Sequence, residues 1–76
     1  MKNKDTPHYV DKILLEYYIK KAGLSIEETA EKIGISVSAF RTKINGKRPF
    51  LVSEMFDLIE LLNIREEDVC QIFKAS

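Results

Sequence analysis

The chain has 76 residues, with 45% apolar side chains, 32% charged side chains, 12 basic against 12 acidic groups, and no net charge. That is the make-up of one ordinary folded domain spanning 1–76; it excludes a bulk polycation and a highly charged disordered chain, and it leaves little room for a deep pocket plus a catalytic apparatus. Cys70 is the single cysteine, so no internal disulfide can form, and the charged stretch Met1–Asp5 leads into no apolar run. A lone thiol without signal or membrane segment fits a cytoplasmic protein.

Helix signals divide the chain into five segments. A first helix stops at Gly23, with Val10, Ile13, Leu14 and Tyr17 spaced for one face; Asp11 can cap it, or Thr6 can with Pro7 at the first helical position, and a regular helix is expected from about Asp11. Residues 1–6 are expected to form a flexible arm that carries Lys2 and Lys4. Ser25-Ile26-Glu27-Glu28 is a capping box that starts a second helix: the Ser25 hydroxyl accepts from the amide three residues on, and the Glu28 carboxylate returns to Ser25. Ile26, Ala30 and Ile33 give its inner face, and Gly34 ends it. Ser36 caps a third helix that runs to Ile44, with Phe40 and Ile44 inward and Asn45-Gly46 as the stop.

After the basic loop Lys47-Arg48-Pro49, a fourth helix spans about Val52 to Leu62. Its stripe is Val52, Met55, Phe56, Ile59 and Leu62, widened by Leu58 and Leu61. A fifth helix covers about Glu66 to Phe73, with Val69, Ile72 and Phe73 facing in. No stretch alternates with period 2, so the fold class is all-α, a compact bundle of five helices.

Charge is balanced in total but not along the chain. Residues 1–35 sum to zero; residues 36–50 hold Arg41, Lys43, Lys47 and Arg48 with no acid; residues 51–76 set Arg65 and Lys74 against six acids. A basic middle and an acidic last third allow one face to meet a polyanion while the other turns away. Lys43, Lys47 and Arg48 are candidates for phosphate contact, and Ser25 opens a helix whose positive end can hold a phosphate. Nothing points to catalysis, a cofactor or a small-molecule ligand. His8 and Cys70 are too few for a zinc site, no nucleophilic triad is indicated, and there is no glycine-rich phosphate loop.

The informative stretch is Ser25–Gly46, a short helix, a tight glycine turn and a second helix. A small side chain at Ala30 lets the helices approach, Gly34 suits a left-handed turn, and Ile33, Ile35 and Phe40 fill the wedge. In Ala30, Gly34, Ile35, Ser36, Phe40, Asn45 and Gly46 the chain resembles the phage-repressor and Cro-like (XRE) helix-turn-helix family, and the five-helix layout extends the resemblance over 11–74. The resemblance implies sequence-specific binding of double-stranded DNA, commonly as a dimer, in transcriptional regulation of the phage or bacterial type. It puts the third helix in the major groove, with Ser36, Val37, Ser38, Arg41, Thr42 and Asn45 facing DNA. Within that set, base contacts are expected from Val37, Ser38, Arg41 and Thr42, and phosphate contacts from Ser36 and Asn45. Three positions depart from the family pattern: Lys43 stands where an inward apolar residue is usual, and Leu51 and Arg65 replace capping hydroxyls. Lys43 can lay its methylenes on the core and send its ammonium toward a phosphate.

Two further expectations follow. A single unit of this kind reads few base pairs, so a weak homodimer, one that can form on DNA, is expected through the last two helices, near Ile64, Cys70 and Phe73. The alternative is a protein-interaction module of the same fold, an antitoxin, adaptor or partner of another regulator. It is favoured by the zero net charge and opposed if Arg41, Lys43, Lys47 and Arg48 share one exposed face with Ser38 and Thr42.

Overall fold

A computed structural model describes residues 8–75, so the expected arm at 1–6 lies outside the described residues. The elements are β1 (His8–Val10), α1 (Lys12–Lys21), α2 (Ile26–Ile33), α3 (Val37–Ile44), α4 (Val52–Leu62), α5 (Glu66–Ile72) and β2 (Phe73–Ala75). The class is all-α, with one short antiparallel ribbon in which Val10 faces Phe73 and His8 faces Ala75. Three residues per strand are too few to leave a period-2 signal. The ribbon also ends α5 at Ile72, one residue earlier than expected, and it leads directly into α1 because the Asp11 N–H donates to the Ile72 carbonyl at 2.7 Å.

Local chemistry sets the helix starts. The Leu14 N–H donates to Asp11 Oδ1, the Glu28 N–H to Ser25 Oγ at 3.0 Å, and the Ala39 N–H to Ser36 Oγ at 3.0 Å. The capping box is complete, since the Ser25 N–H reaches Glu28 Oε1 at 2.9 Å. The start of α4 has only half of that device: Leu51 has no oxygen to offer, and its own N–H is accepted by Glu54 Oε1 at 2.9 Å. Gly34 ends α2 with φ at 81°, in the left-handed region where only glycine sits without strain.

The core gathers Leu15, Tyr18 and Ile19 of α1, Ala30 and Ile33 of α2, Phe40 and Ile44 of α3, Leu58 and Leu62 of α4, and Ile72 of α5. Phe40, Phe50 and Phe73 form an edge-to-face chain through its middle, with ring centroids 5.8 and 6.4 Å apart. The inner face of α1 is therefore not the expected one. Ile13 and Tyr17 point outward, 82% and 54% exposed, and Val10 belongs to the ribbon. The segment is apolar on two sides, and what selects Leu15, Tyr18 and Ile19 is α5: the Tyr18 hydroxyl donates to the Asp68 carboxylate and accepts from the Arg65 N–H. On α4 the expected stripe holds at Leu62 and, partly buried, at Met55 and Ile59; Leu58, expected to widen it, is fully buried, whereas Val52 and Phe56 are exposed. Ile64 and Phe73 are buried core residues, so of the three expected at a self-association surface only Cys70 lies outside.

Candidate nucleic-acid interface

The geometry of α3 starts from its two faces. Phe40 and Ile44 are buried, and Ala30 of α2 lies against them in the core with no exposed surface. Ser38, Arg41, Thr42 and Asn45 stand at i, i+3, i+4 and i+7, so they share the opposite face. Ser38, Arg41 and Asn45 are exposed and Thr42 is half-buried. The connection that fixes this helix is Gly34-Ile35-Ser36, held because the Gly34 and Ile35 N–H groups donate back to the Glu31 and Ala30 carbonyls at 3.1 Å.

Three side chains of the outer face, Arg41, Thr42 and Asn45, have a defined partner. Arg41 Nη2 donates to Glu27 Oε2 at 2.6 Å, joining α3 to the first turn of α2. Thr42 Oγ1 donates to the Ser38 carbonyl at 2.9 Å, which leaves its oxygen lone pairs outward as acceptors. Asn45 Oδ1 accepts from Lys12 Nζ at 2.8 Å, bringing the start of α1 to the end of α3. Ser25 and Ser36 spend their oxygens on helix amides and keep their O–H groups to donate. Val37 is half-buried and packs against the core, so it offers only an edge to the surface.

The basic set is rearranged relative to expectation. Lys43 turns inward: its ammonium lies 2.6 and 2.9 Å from the two oxygens of Glu54, and these side chains are only 13% and 8% exposed. Its Nζ also sits 5.9 Å from the centroid of the Phe50 ring. The cause is the missing cap at Leu51. Glu54 folds back to accept that N–H, which buries a carboxylate that then needs a cation. Lys43 supplies it, so this side chain does not face outward with the others. Lys12 takes its place at the surface. Lys12, Lys47 and Arg48 are exposed and have no ion-pair partner among the described residues. The loop that carries Lys47 is tied to α3, since the Gly46 and Lys47 N–H groups donate to the Lys43 and Thr42 carbonyls at 3.1 Å.

Two members of this surface escaped the sequence reading. Lys12 lies 33 residues before Asn45, so no local pattern links them. Glu27 sits in the first turn of a helix, where an acid is explained by the dipole alone.

A second surface lies between α4 and α5. Met55, Phe56, Ile59, Val69, Cys70 and Phe73 line an open apolar groove of about 250 Å³. Among the described residues no cluster of His, Cys, Asp or Glu could hold a metal ion, and no helix is long and apolar enough to cross a membrane. No protein-family model matches the chain, and no curated protein matches it in sequence.

Proposed function

We propose that the chain is a helix-turn-helix module that binds double-stranded DNA by sequence and regulates transcription in the cytoplasm, as a repressor of the phage or bacterial type. The observation that carries this reading is the two-faced α3. Its inner side is fixed on the core, and its outer side presents Ser38, Arg41, Thr42 and Asn45, flanked by Lys12, Lys47 and Arg48. Polar side chains of those types at helical spacing suit base edges in a major groove, and cations on either side suit the phosphates that position the helix. In this reading Arg41 meets a guanine, Ser38 and Thr42 contact bases, and Ser25, Ser36 and Asn45 contact phosphates beside the three cations. Lys43 is left out, because its charge is spent on Glu54.

Selection of bound sequences from a randomised duplex pool tests the reading, followed by titration of the winning duplex with salt. With three phosphates neutralised by Lys12, Lys47 and Arg48, log affinity against log salt should fall with a slope of about −3 per protomer. A pool that shows no enriched sequence, even at low salt, refutes DNA binding and leaves the protein-interaction module as the reading that remains.

The α4–α5 groove supports a weak homodimer as part of the same proposal. Phe56 at its rim is 65% exposed, and the exposed acids Asp57, Glu60, Glu66 and Glu67 on the same two helices would meet their copies across a two-fold axis. That repulsion keeps association weak in the free protein and favours a dimer that assembles on paired half-sites. Sedimentation with and without the selected duplex should show monomer alone and two protomers per site when bound. A one-to-one complex on a site without inverted symmetry removes the dimer.

A further inference from the structure

We propose that Glu27 is a positioning residue that aims Arg41 at a base and withholds it from the phosphates, so that sequence preference at one base pair is set by a residue of α2. The inference rests on the DNA-binding reading above and adds to it the source of selectivity.

Three observations lead to it. First, the contact itself is close and specific: Arg41 Nη2 to Glu27 Oε2 at 2.6 Å, between two side chains that are 53% and 59% exposed. Second, Glu27 makes no capping hydrogen bond in its own helix, where the dipole favours an acid but does not direct its carboxylate toward Arg41. The reciprocal bond of the capping box is made by Glu28, and the amide that the box must satisfy is already taken. Third, its carboxylate stands beside the outer face of α3, where a bare negative charge would repel a polyanion. An exposed ion pair adds little to stability, so folding does not account for the arrangement.

The chemistry of the pair explains what it does. A guanidinium has five N–H groups in a rigid plane, and one contact to Glu27 leaves enough of them for a two-bond contact to guanine O6 and N7. The carboxylate orients that plane before DNA arrives. It also cancels the attraction of Arg41 for phosphates, which would otherwise let the long side chain swing to the backbone at any sequence. Arg41 then contributes affinity chiefly where a guanine completes its bonding, and the neutral pair contributes little elsewhere.

Glu27→Ala in the full chain tests this against wild type on the randomised pool, on the selected duplex and on a scrambled duplex. Loss of the carboxylate should cut the preference at one base pair about tenfold, within the span a bidentate contact commands. It should tighten binding to the scrambled duplex, and steepen the salt slope by about 0.9 per protomer as Arg41 joins the phosphate contacts. In an Arg41→Ala background the same Glu27 substitution should tighten binding to both duplexes equally through loss of a bare carboxylate and leave the base preference unchanged, which a general effect on α2 would not spare. Unchanged preference in Glu27→Ala, or an equal loss with and without Arg41, overturns the role of Glu27 while wild-type selectivity still stands. A wild-type pool without enrichment overturns the DNA-binding reading itself, and this role with it.

Discussion

The α2–α3 pair and the α4–α5 pair are built from helices of similar length, yet they leave different surfaces. None of the large apolar residues of α2 and α3 is exposed: Ile33, Phe40 and Ile44 are buried, and Ile26 and Val37 lie partly against the core. On α4, Val52 and Phe56 stand outside at 58% and 65% exposure while Leu58 and Leu62 fill the inside. The charges differ in the same way. On α3 and the loop after it the exposed ions are the cations Arg41, Lys47 and Arg48, while the acids of this pair, Glu27, Glu28 and Glu31, lie on α2, with Glu27 held by Arg41; on α4 and α5 the exposed ions are acids with a single cation, Arg65, held by Glu67 at 2.8 Å. A clean division between apolar and polar faces suits contact with a polar, charged ligand, and a mixed apolar and acidic surface suits contact with protein.

The largest effect should come from cutting what joins the two pairs. Phe50 lies between Phe40 and Phe73 with 4% exposure, so Phe50→Ala should cost about 3–5 kcal/mol. A chain this short has about 4–11 kcal/mol in all, so the urea midpoint should fall by a large fraction and unfolding should remain a single transition. Two separate transitions would show that the pairs are independent units.

Next is the buried ion pair between α3 and α4. Lys43→Met strands the Glu54 carboxylate and should cost about 2–3 kcal/mol, below the ~3–5 of a fully buried pair because 13% and 8% of these side chains remain exposed. Adding Glu54→Gln should recover most of the loss, since the amide oxygen still accepts the Leu51 N–H. Denaturation of wild type and the two variants checks both steps, and failure of the double variant to recover would assign Lys43 a further role. Phe56→Ser sharpens the contrast at the surface: stability should move by less than about 0.5 kcal/mol, while any sedimentation evidence of two protomers per DNA site should weaken.

The last effect is confined to alkaline pH. The hydrogen bond donated to Asp68, followed by burial, raises the Tyr18 phenol above its ordinary 10.0. A raised phenol contributes stability that is present in full below the unfolded value and lost as pH rises through the folded one. Wild type should therefore melt above Tyr18→Phe at neutral pH, and the gap should close on passing above pH 10. A gap that persists there would mean that packing of the ring, not its hydroxyl, joins α1 to α5.

What was legible in the sequence was what acts over one helical turn. Ser25, Glu28 and Ser36 mark helix starts because cap and amide are three residues apart, and Gly34 marks an end because its backbone needs no partner to be read. The outer face of α3 followed from the same periodicity. The inner face of α1 did not, because Ile13 and Tyr17 compete with Leu15 and Tyr18 as apolar stripes and Asp68, 50 residues on, decides between them. Lys43 reads as outward from the sequence because its partner is 11 residues away on a different helix and is buried only through the missing cap at Leu51. Lys12 is illegible for the same reason at longer range, 33 residues from Asn45.

The ribbon of β1 and β2 has a mechanical consequence. His8 pairs with Ala75 at its open end and Val10 with Phe73 at its inner end, so the chain enters and leaves the domain at one place. A pull applied between the two ends therefore loads the ribbon as a zipper, opening one pair at a time from His8–Ala75 inward. The helices feel no tension until the last pair has parted, at the point where the Asp11 N–H is anchored to Ile72.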